Sequence, residues 1–148
     1  MLKKILLTVL AIFMVLVLAF AWRMVSEGKR SRAMSPPEVS GLPCPDKPNC
    51  VSSLAATEEH RIDPLESVDA ERIKEVLQGM GIRVVSHTGQ HIHGEHESNL
   101  FGFIDDIDVV IGDGNGPSQI RSASRVGHSD MGVNRVRVEA IRRALGSP

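Results

Sequence analysis

From Ile5 to Trp22 every residue except Thr8 is apolar, and no other feature limits what this chain can fold into so strongly. As a helix rising ~1.5 Å per residue, the run spans roughly 27 Å, close to the ~30 Å hydrocarbon layer of a bilayer. It is apolar on all sides, which is the pattern of a membrane span and not of an amphipathic helix covering a core. Lys3 and Lys4 precede it, Arg23 follows it, and Trp22 stands at the interface position. We therefore expect residues 1–25 to anchor the chain in a membrane. The competing reading is a cleavable leader, because Ala19-Phe20-Ala21 has the small-x-small form of a cleavage site; cutting after Ala21 would release the rest into the periplasm. Against cleavage, the run is longer than the usual ~7–15 residue leader core and meets the cut without a polar stretch. No cysteine follows closely enough to carry a lipid.

Orientation draws on two opposing signals. Lys3, Lys4, Arg23, Lys29, Arg30 and Arg32 stand against only Glu27 and Glu38 before Pro43, so the net charge of -1 conceals a basic N-terminal part. Arg23, Lys29, Arg30 and Arg32 outnumber the two leading lysines, and that excess alone argues for a cytosolic domain. The cysteines argue the reverse. Residues 26–43 contain Gly, Ser, Pro and charge without an apolar period and read as a flexible tether. Cys44-Pro45-Asp46-Lys47-Pro48-Asn49-Cys50 then holds the only two cysteines. Pro and Asn supply a turn that can bring the two Cα atoms within the ~4.4–6.8 Å a disulfide needs. Two free thiols or a metal half-site are the alternatives, and a zinc site would need two further ligands at a spacing the sequence lacks. A Cys44–Cys50 disulfide requires an oxidising compartment. On that ground we expect a single-pass protein of a bacterial inner membrane with its C-terminal domain in the periplasm.

Residues 44–148 suffice for one domain. Val68 to Met80 has helical periodicity, with Ile73, Val76, Leu77 and Met80 on one face, Ser67 or Asp69 as cap, and Gly79 or Gly81 as stop. From Ile82 the period changes to two, and Ile82–His87, His91–Glu97, Leu100–Ile111 and Ser118–Ser124 read as four strands separated by short turns. A second helix is expected from Val133 to Leu145, with Val133, Val136, Val138, Ala140, Ile141, Ala144 and Leu145 on its apolar stripe and Asn134 and Arg137 inside that stripe. The predicted fold is α+β: a four-stranded antiparallel sheet with both helices packed on one face.

Aromatic residues make up 3% of the chain, and after Trp22 only Phe101 and Phe103 remain. A mildly acidic domain with so few rings is poorly suited to stacking or neutralising nucleic acid, so that partner class is set aside. Alternation places Asp105 on the apolar face of its strand, where a carboxylate needs a counter-charge; Arg137, Arg121 and Arg125 are the candidates. The bland interpretation is an ion pair that fixes a helix on the sheet. The functional one is a polar cleft whose arginines hold a small anionic ligand, or whose acid takes part in catalysis. Ser122, Ser124, His128, Ser129, Asp130 and Asn134 follow closely, which raises a hydrolase using Asp105 or Asp106 with Ser124 or His128. A triad, however, is defined in space, and no Gly-x-Ser-x-Gly elbow is present; these residues equally well make turns and caps. His87, His91, His93 and His96 cluster in a hairpin, with His91 and His93 on one strand face. This leaves a metal-binding alternative, although such pairs also arise on solvated strand faces.

Three segments resemble the domain-of-unknown-function family 1499: Pro48-Asn49-Cys50-Val51-Ser52-Ser53, Phe103-x-Asp105-Asp106, and the run from Arg121 through Ser129-Asp130-x-Gly132-Val133-Asn134-Arg135. The resemblance spans roughly Cys44 to Leu145. It implies bacterial and plastid relatives, often with an N-terminal membrane or export segment, and brings no activity and no catalytic residues. It marks Asn49, Cys50, Asp105, Asp106, Arg121, Ser122, Ser124, Arg125, Ser129, Asp130 and Asn134 as motif positions, and the histidine hairpin falls outside them. Many members have an aromatic residue where this chain has His128, which counts against catalysis by that side chain. The expectation is a non-catalytic envelope protein without a cofactor. Its polar surface, formed by Arg121, Arg125 and the Ser129–Asn134 loop, would bind an envelope protein or a small anionic ligand.

Overall fold

The computed structural model describes residues 1–36, 42–114 and 116–146. Helix α1 runs Leu2–Ala33 and contains the apolar stretch, which is long and apolar enough to cross a membrane. Its length corrects the tether reading: residues 26–33 are helical, and part of the remaining tether, residues 37–41, lies outside the described residues. The helix continues because its C-terminal turns have a surface to pack on. Gly28 and Ser31 are buried. A Cβ at Gly28 would fall 1.8 Å from the Phe101 carbonyl oxygen, so only glycine permits this approach. Ser31 Oγ accepts a hydrogen bond from the Ile104 backbone N–H at 2.9 Å, satisfying the first residue of a strand, and Arg32 pairs with Glu97 at 2.5 Å.

The domain contains an antiparallel sheet of five strands, not four. β1 is Cys50–Ser52, β2 Arg83–Thr88, β3 His91–Glu97, β4 Ile104–Val110 and β5 Gln119–Ser124, in the spatial order β1-β5-β4-β3-β2. The four expected strands form the meander. The additional strand β1 pairs Cys50 with Ala123 and Ser52 with Arg121, and at three residues it is too short to show a period. β4 begins at Ile104, later than expected, because Ser98 closes a turn: its hydroxyl accepts from Phe103 N–H at 2.9 Å and its carbonyl accepts from Gly102 N–H at 3.0 Å. Phe101 and Phe103 therefore belong to the loop on which α1 rests.

Helix α2 spans Ala70–Gly79 and is capped by Asp69, whose carboxylate accepts from Arg72 N–H at 2.9 Å. Helix α3 spans Val133–Leu145 as expected. Both lie on the same sheet face, where Ile73, Val76 and Leu77 of α2 and Val138 and Ile141 of α3 form one core with Val51, Ile92, Ile107, Val109 and Ile120. The inward face of α3 is rotated from the expected stripe. Asn134 and Arg137 are buried within the stripe as expected, but Val133 and Val136 are 50% and 66% exposed and Arg142, on the polar side of the helical projection, is buried. Arg142 is held there by the backbone carbonyls of Asp63 and Pro64.

Cys44 and Cys50 form the expected disulfide, with Cα atoms 5.7 Å apart. The bond closes a short loop beside β1, next to Pro43, whose carbonyl accepts from Arg121 Nε at 2.8 Å. Replacing both cysteines by serine should lower unfolding stability by about 2 kcal/mol, read as a lower urea midpoint. An unchanged midpoint in the presence and absence of reductant would show that the crosslink contributes nothing.

Candidate functional site

The polar residues singled out in the sequence separate onto the two faces of the sheet. On the helix face Asp105 is paired with Arg137, Nη2 to Oδ2 at 2.6 Å. Arg137 Nη1 donates to Asn134 Oδ1 at 2.6 Å and to Ser122 Oγ at 3.1 Å. Ser122 in turn donates to Asn134 Oδ1 at 2.6 Å. The Asn134 amide donates to the Asn49 carbonyl at 3.0 Å and to Ser124 Oγ at 3.1 Å. Asn49 Nδ2 reaches the carbonyls of Gly127 and Ser124 at 3.1 and 3.3 Å. These residues bind the start of α3 to the β1 and β5 strands with nearly every donor used, as a buried polar network must. Asp130 accepts from the Gly132 and Asn134 backbone N–H groups at 3.0 and 2.8 Å and so caps α3, while Ser129 Oγ accepts from Met131 N–H at 3.3 Å. His96 belongs to this face as well, with Nδ1 3.3 Å from Arg137 Nη2.

The opposite face carries the larger concentration of charge. Alternation on β3, β4 and β5 aligns His93 with Asp108, Glu95 with Asp106 and Asp108 with Arg121 as cross-strand neighbours. Asp108 is fully buried and Asp106 is 1% exposed. Asp108 receives His93 Nδ1 at 2.8 Å, Arg121 Nη1 at 3.1 Å and His91 Nε2 at 3.1 Å. Arg125 grips Asp106 through Nε at 2.9 and 3.0 Å and Nη2 at 2.6 Å, contacts Glu95, and donates to the Met34 carbonyl at 3.0 Å. Arg83 approaches Glu95 from the solvent side. A cavity of about 450 Å3 lies over part of this layer, lined by Met34, Pro43, Cys44, Lys47, Arg121 and Arg125 among others.

The charges of the layer shift its titrations. Three carboxylates, Glu95, Asp106 and Asp108, face the two buried guanidinium groups of Arg121 and Arg125, and His93 stands among them. Burial works against its imidazolium, yet the Asp108 hydrogen bond and the charges of Asp108, Asp106 and Glu95 outweigh it, and its pKa lies above 6.5. Burial likewise opposes the Asp108 carboxylate, but His93, Arg121 and His91 together hold its pKa below 3.8. Asp106 is pushed up by burial despite Arg125. His96 is the reverse of His93: burial and then the Arg137 guanidinium lower its pKa from 6.5, in keeping with a ring nitrogen that accepts from an arginine.

These shifts have opposite consequences for stability. The contribution of His93 is complete below pH 6.5 and is lost as pH rises through its folded-state value. That of His96 is complete above pH 6.5 and is lost as pH falls through its folded-state value. Asp108 adds stability that is lost only as pH falls below 3.8 through its folded-state value, whereas Asp106 loses its contribution as pH climbs from 3.8. Urea midpoints across the neutral range should show that His93→Gln removes a decline above pH 6.5 and His96→Gln removes one below it. Parallel profiles for wild type and both variants would contradict the assignment.

The structure does not bring the expected binding surface together as one. Arg121 and Arg125 lie in the charged layer, and the Ser129–Asn134 loop lies at the start of α3 beside the helix-face network. Both arginines are occupied by carboxylates and carbonyls, which leaves them poorly placed to receive an anion. Of the hydrolase constellation the structure brings together Asp105 and Ser124, which are cross-strand neighbours, but His128 is exposed, and among the described residues no hydrogen bond joins it to Ser124, Asp105 or Asp106. The four hairpin histidines diverge, with His91 and His93 on Asp108, His96 toward Arg137, and His87 exposed. His93, Glu95 and Asp106 do offer atoms within 4.8 Å of one another, but Arg125 holds both carboxylates, and a cation there would have to displace a buried guanidinium.

Sequence reasoning missed His93, Glu95 and Asp108 as members of one layer. The signal was present in the shared parity of 106 and 108, and of 91, 93 and 95. It was passed over because the second face of an antiparallel sheet is ordinarily solvated. No curated protein matches the chain. The family described as "Protein of unknown function (DUF1499)" matches residues 42–145, from the buried Leu42 to the end of α3, and the chain belongs to that family.

Proposed function

We propose that this is a non-catalytic envelope protein, held in a bacterial inner membrane by residues 5–22, with its domain in the periplasm engaged in binding a partner. The observation that carries this reading is the Cys44–Cys50 disulfide in the same chain as a helix able to cross a bilayer. A crosslink of this kind persists in an oxidising compartment, and the apolar helix supplies the route to one. The basic excess after Trp22 is reduced by the Arg32–Glu97 pair, which commits one of those four charges to the domain. Support for binding over catalysis comes from Asp105, Asp106 and Asp108, each of which is matched to its own arginine and none of which stands free as an acid or base.

An enzyme reporter that is active only outside the cytoplasm, fused at the C-terminus, should be active, and N-terminal sequencing of the membrane fraction should find Met1 or Leu2. Reporter activity confined to the cytoplasm would overturn the orientation. A start at Trp22 would replace the anchor with cleavage after Ala21.

A further inference from the structure

The second cavity of the domain lies against α1 where that helix leaves its apolar stretch. It measures about 590 Å3 and is walled by Arg23, Met24, Phe103, Val126, Met131 and Val133. Arg23 and Met24 directly follow Trp22, so this wall begins within one helical turn of the end of the apolar run. Apolar side chains crowd the mouth without cover. Met131 is 96% exposed and Val133 50%. Met131 also holds a left-handed backbone, φ 55°, which a non-glycine residue adopts at a cost. Asp130 capping α3 and Ser129 bonding its N–H keep Met131 there. Among the described residues Arg23 has no carboxylate partner, although Glu27 lines the same cavity, as do Asp105, which is paired with Arg137, and Asp130, which caps α3.

We infer that this cavity takes a glycerophospholipid from the adjoining leaflet, with an acyl chain against Met24, Phe103, Val126, Met131 and Val133 and the phosphodiester at Arg23. The inference rests on the membrane-anchor reading above, because the lipid enters along α1. Three features select this occupant over a soluble one. The cavity is continuous with the apolar helix, its exposed lining surface is chiefly apolar, and Arg23, unpaired among the described residues, is placed where a phosphate layer would lie. A soluble anion would meet one guanidinium and the carboxylates of Glu27, Asp105 and Asp130, with no acyl chain to gain from the apolar wall, and Arg121 and Arg125 are engaged elsewhere.

The test uses the full chain reconstituted into phosphatidylethanolamine–phosphatidylglycerol nanodiscs that contain a trace of phospholipid with a photoreactive acyl chain. After irradiation, peptide mapping should find label on residues 5–22 and also on the segments carrying Phe103, Val126 and Met131–Val133. The double variant Met131→Asn, Val133→Asn alters only exposed or half-exposed positions, and asparagine tolerates the left-handed backbone. It should reduce domain labelling by about tenfold while leaving α1 labelling unchanged. Label on α1 alone, domain labelling indifferent to the double variant, or a crosslink from the cavity to a second protein chain would each overturn the inference while leaving the anchor intact. Absence of label from residues 5–22 would defeat the anchor reading and the inference together.

Discussion

Asp108→Asn is expected to destabilise the domain by about 3–5 kcal/mol. The carboxylate is fully buried and accepts from three partners, His93, His91 and Arg121. An asparagine of nearly the same shape keeps the packing but removes the charge and turns a donor toward donors. Arg121 is then buried without its carboxylate partner, and His93 loses the hydrogen bond and charge that most raise its pKa. The effect should appear as a shift in urea midpoint and melting temperature at neutral pH. Glu95→Gln provides the comparison: its side chain retains 11% exposure and shares its role with Asp106, so its cost should be clearly smaller. If Asp108→Asn folds with wild-type stability, the charged layer is not what holds this face together, and Asp108 would deserve examination as a binding residue instead.

The second large effect lies on the helix face. Asp105→Asn and Arg137→Met should each cost about 3–5 kcal/mol, because each strands the other member of a buried pair. In the double variant both charges are gone, and Ser122 still donates to Asn134. Its loss should fall short of the sum of the single losses by about 2–3 kcal/mol. Such coupling identifies the pair as a device that seats α3 on the sheet. Additive losses would mean the two side chains do not act on each other. An Asp105→Asn protein of undiminished stability that fails to complement in cells would mark Asp105 as part of a site.

The helices, the meander and the staple were legible in the sequence because each is a local pattern. Ile73, Val76 and Leu77 repeat at helical spacing, β3 alternates, and two cysteines flank a turn. The Asp105–Arg137 pair was legible for a related reason, since a carboxylate on an apolar strand face and an arginine on an apolar helix stripe have few other ways to be buried. What was not legible depended on distant chain. β1 is three residues long and exists through β5. The helicity of residues 26–33 depends on the close approach of Gly28 to Phe101, and α3 buries Arg142 while exposing Val133 and Val136 because the carbonyls of Asp63 and Pro64 await that guanidinium. The charged layer was hidden most completely. Its members alternate as a solvent-facing strand should, and nothing local reveals that the segments around Met34 and Pro43 supply carbonyl partners to its arginines.

The seating of Gly28 and Ser31 also limits where this protein can work. A ball on a loose chain sweeps a wide hemisphere, but a head bolted to its mast does not. With residues 5–22 in the bilayer, the stretch from Arg23 to Ala33 rises only about 16 Å, and the domain is clasped along that stretch. On the membrane-anchor reading proposed above, its attitude toward the lipid plane is then set by this contact, its free sheet edge at β2 keeps one direction, and molecules within a few nanometres of the surface are those it can reach.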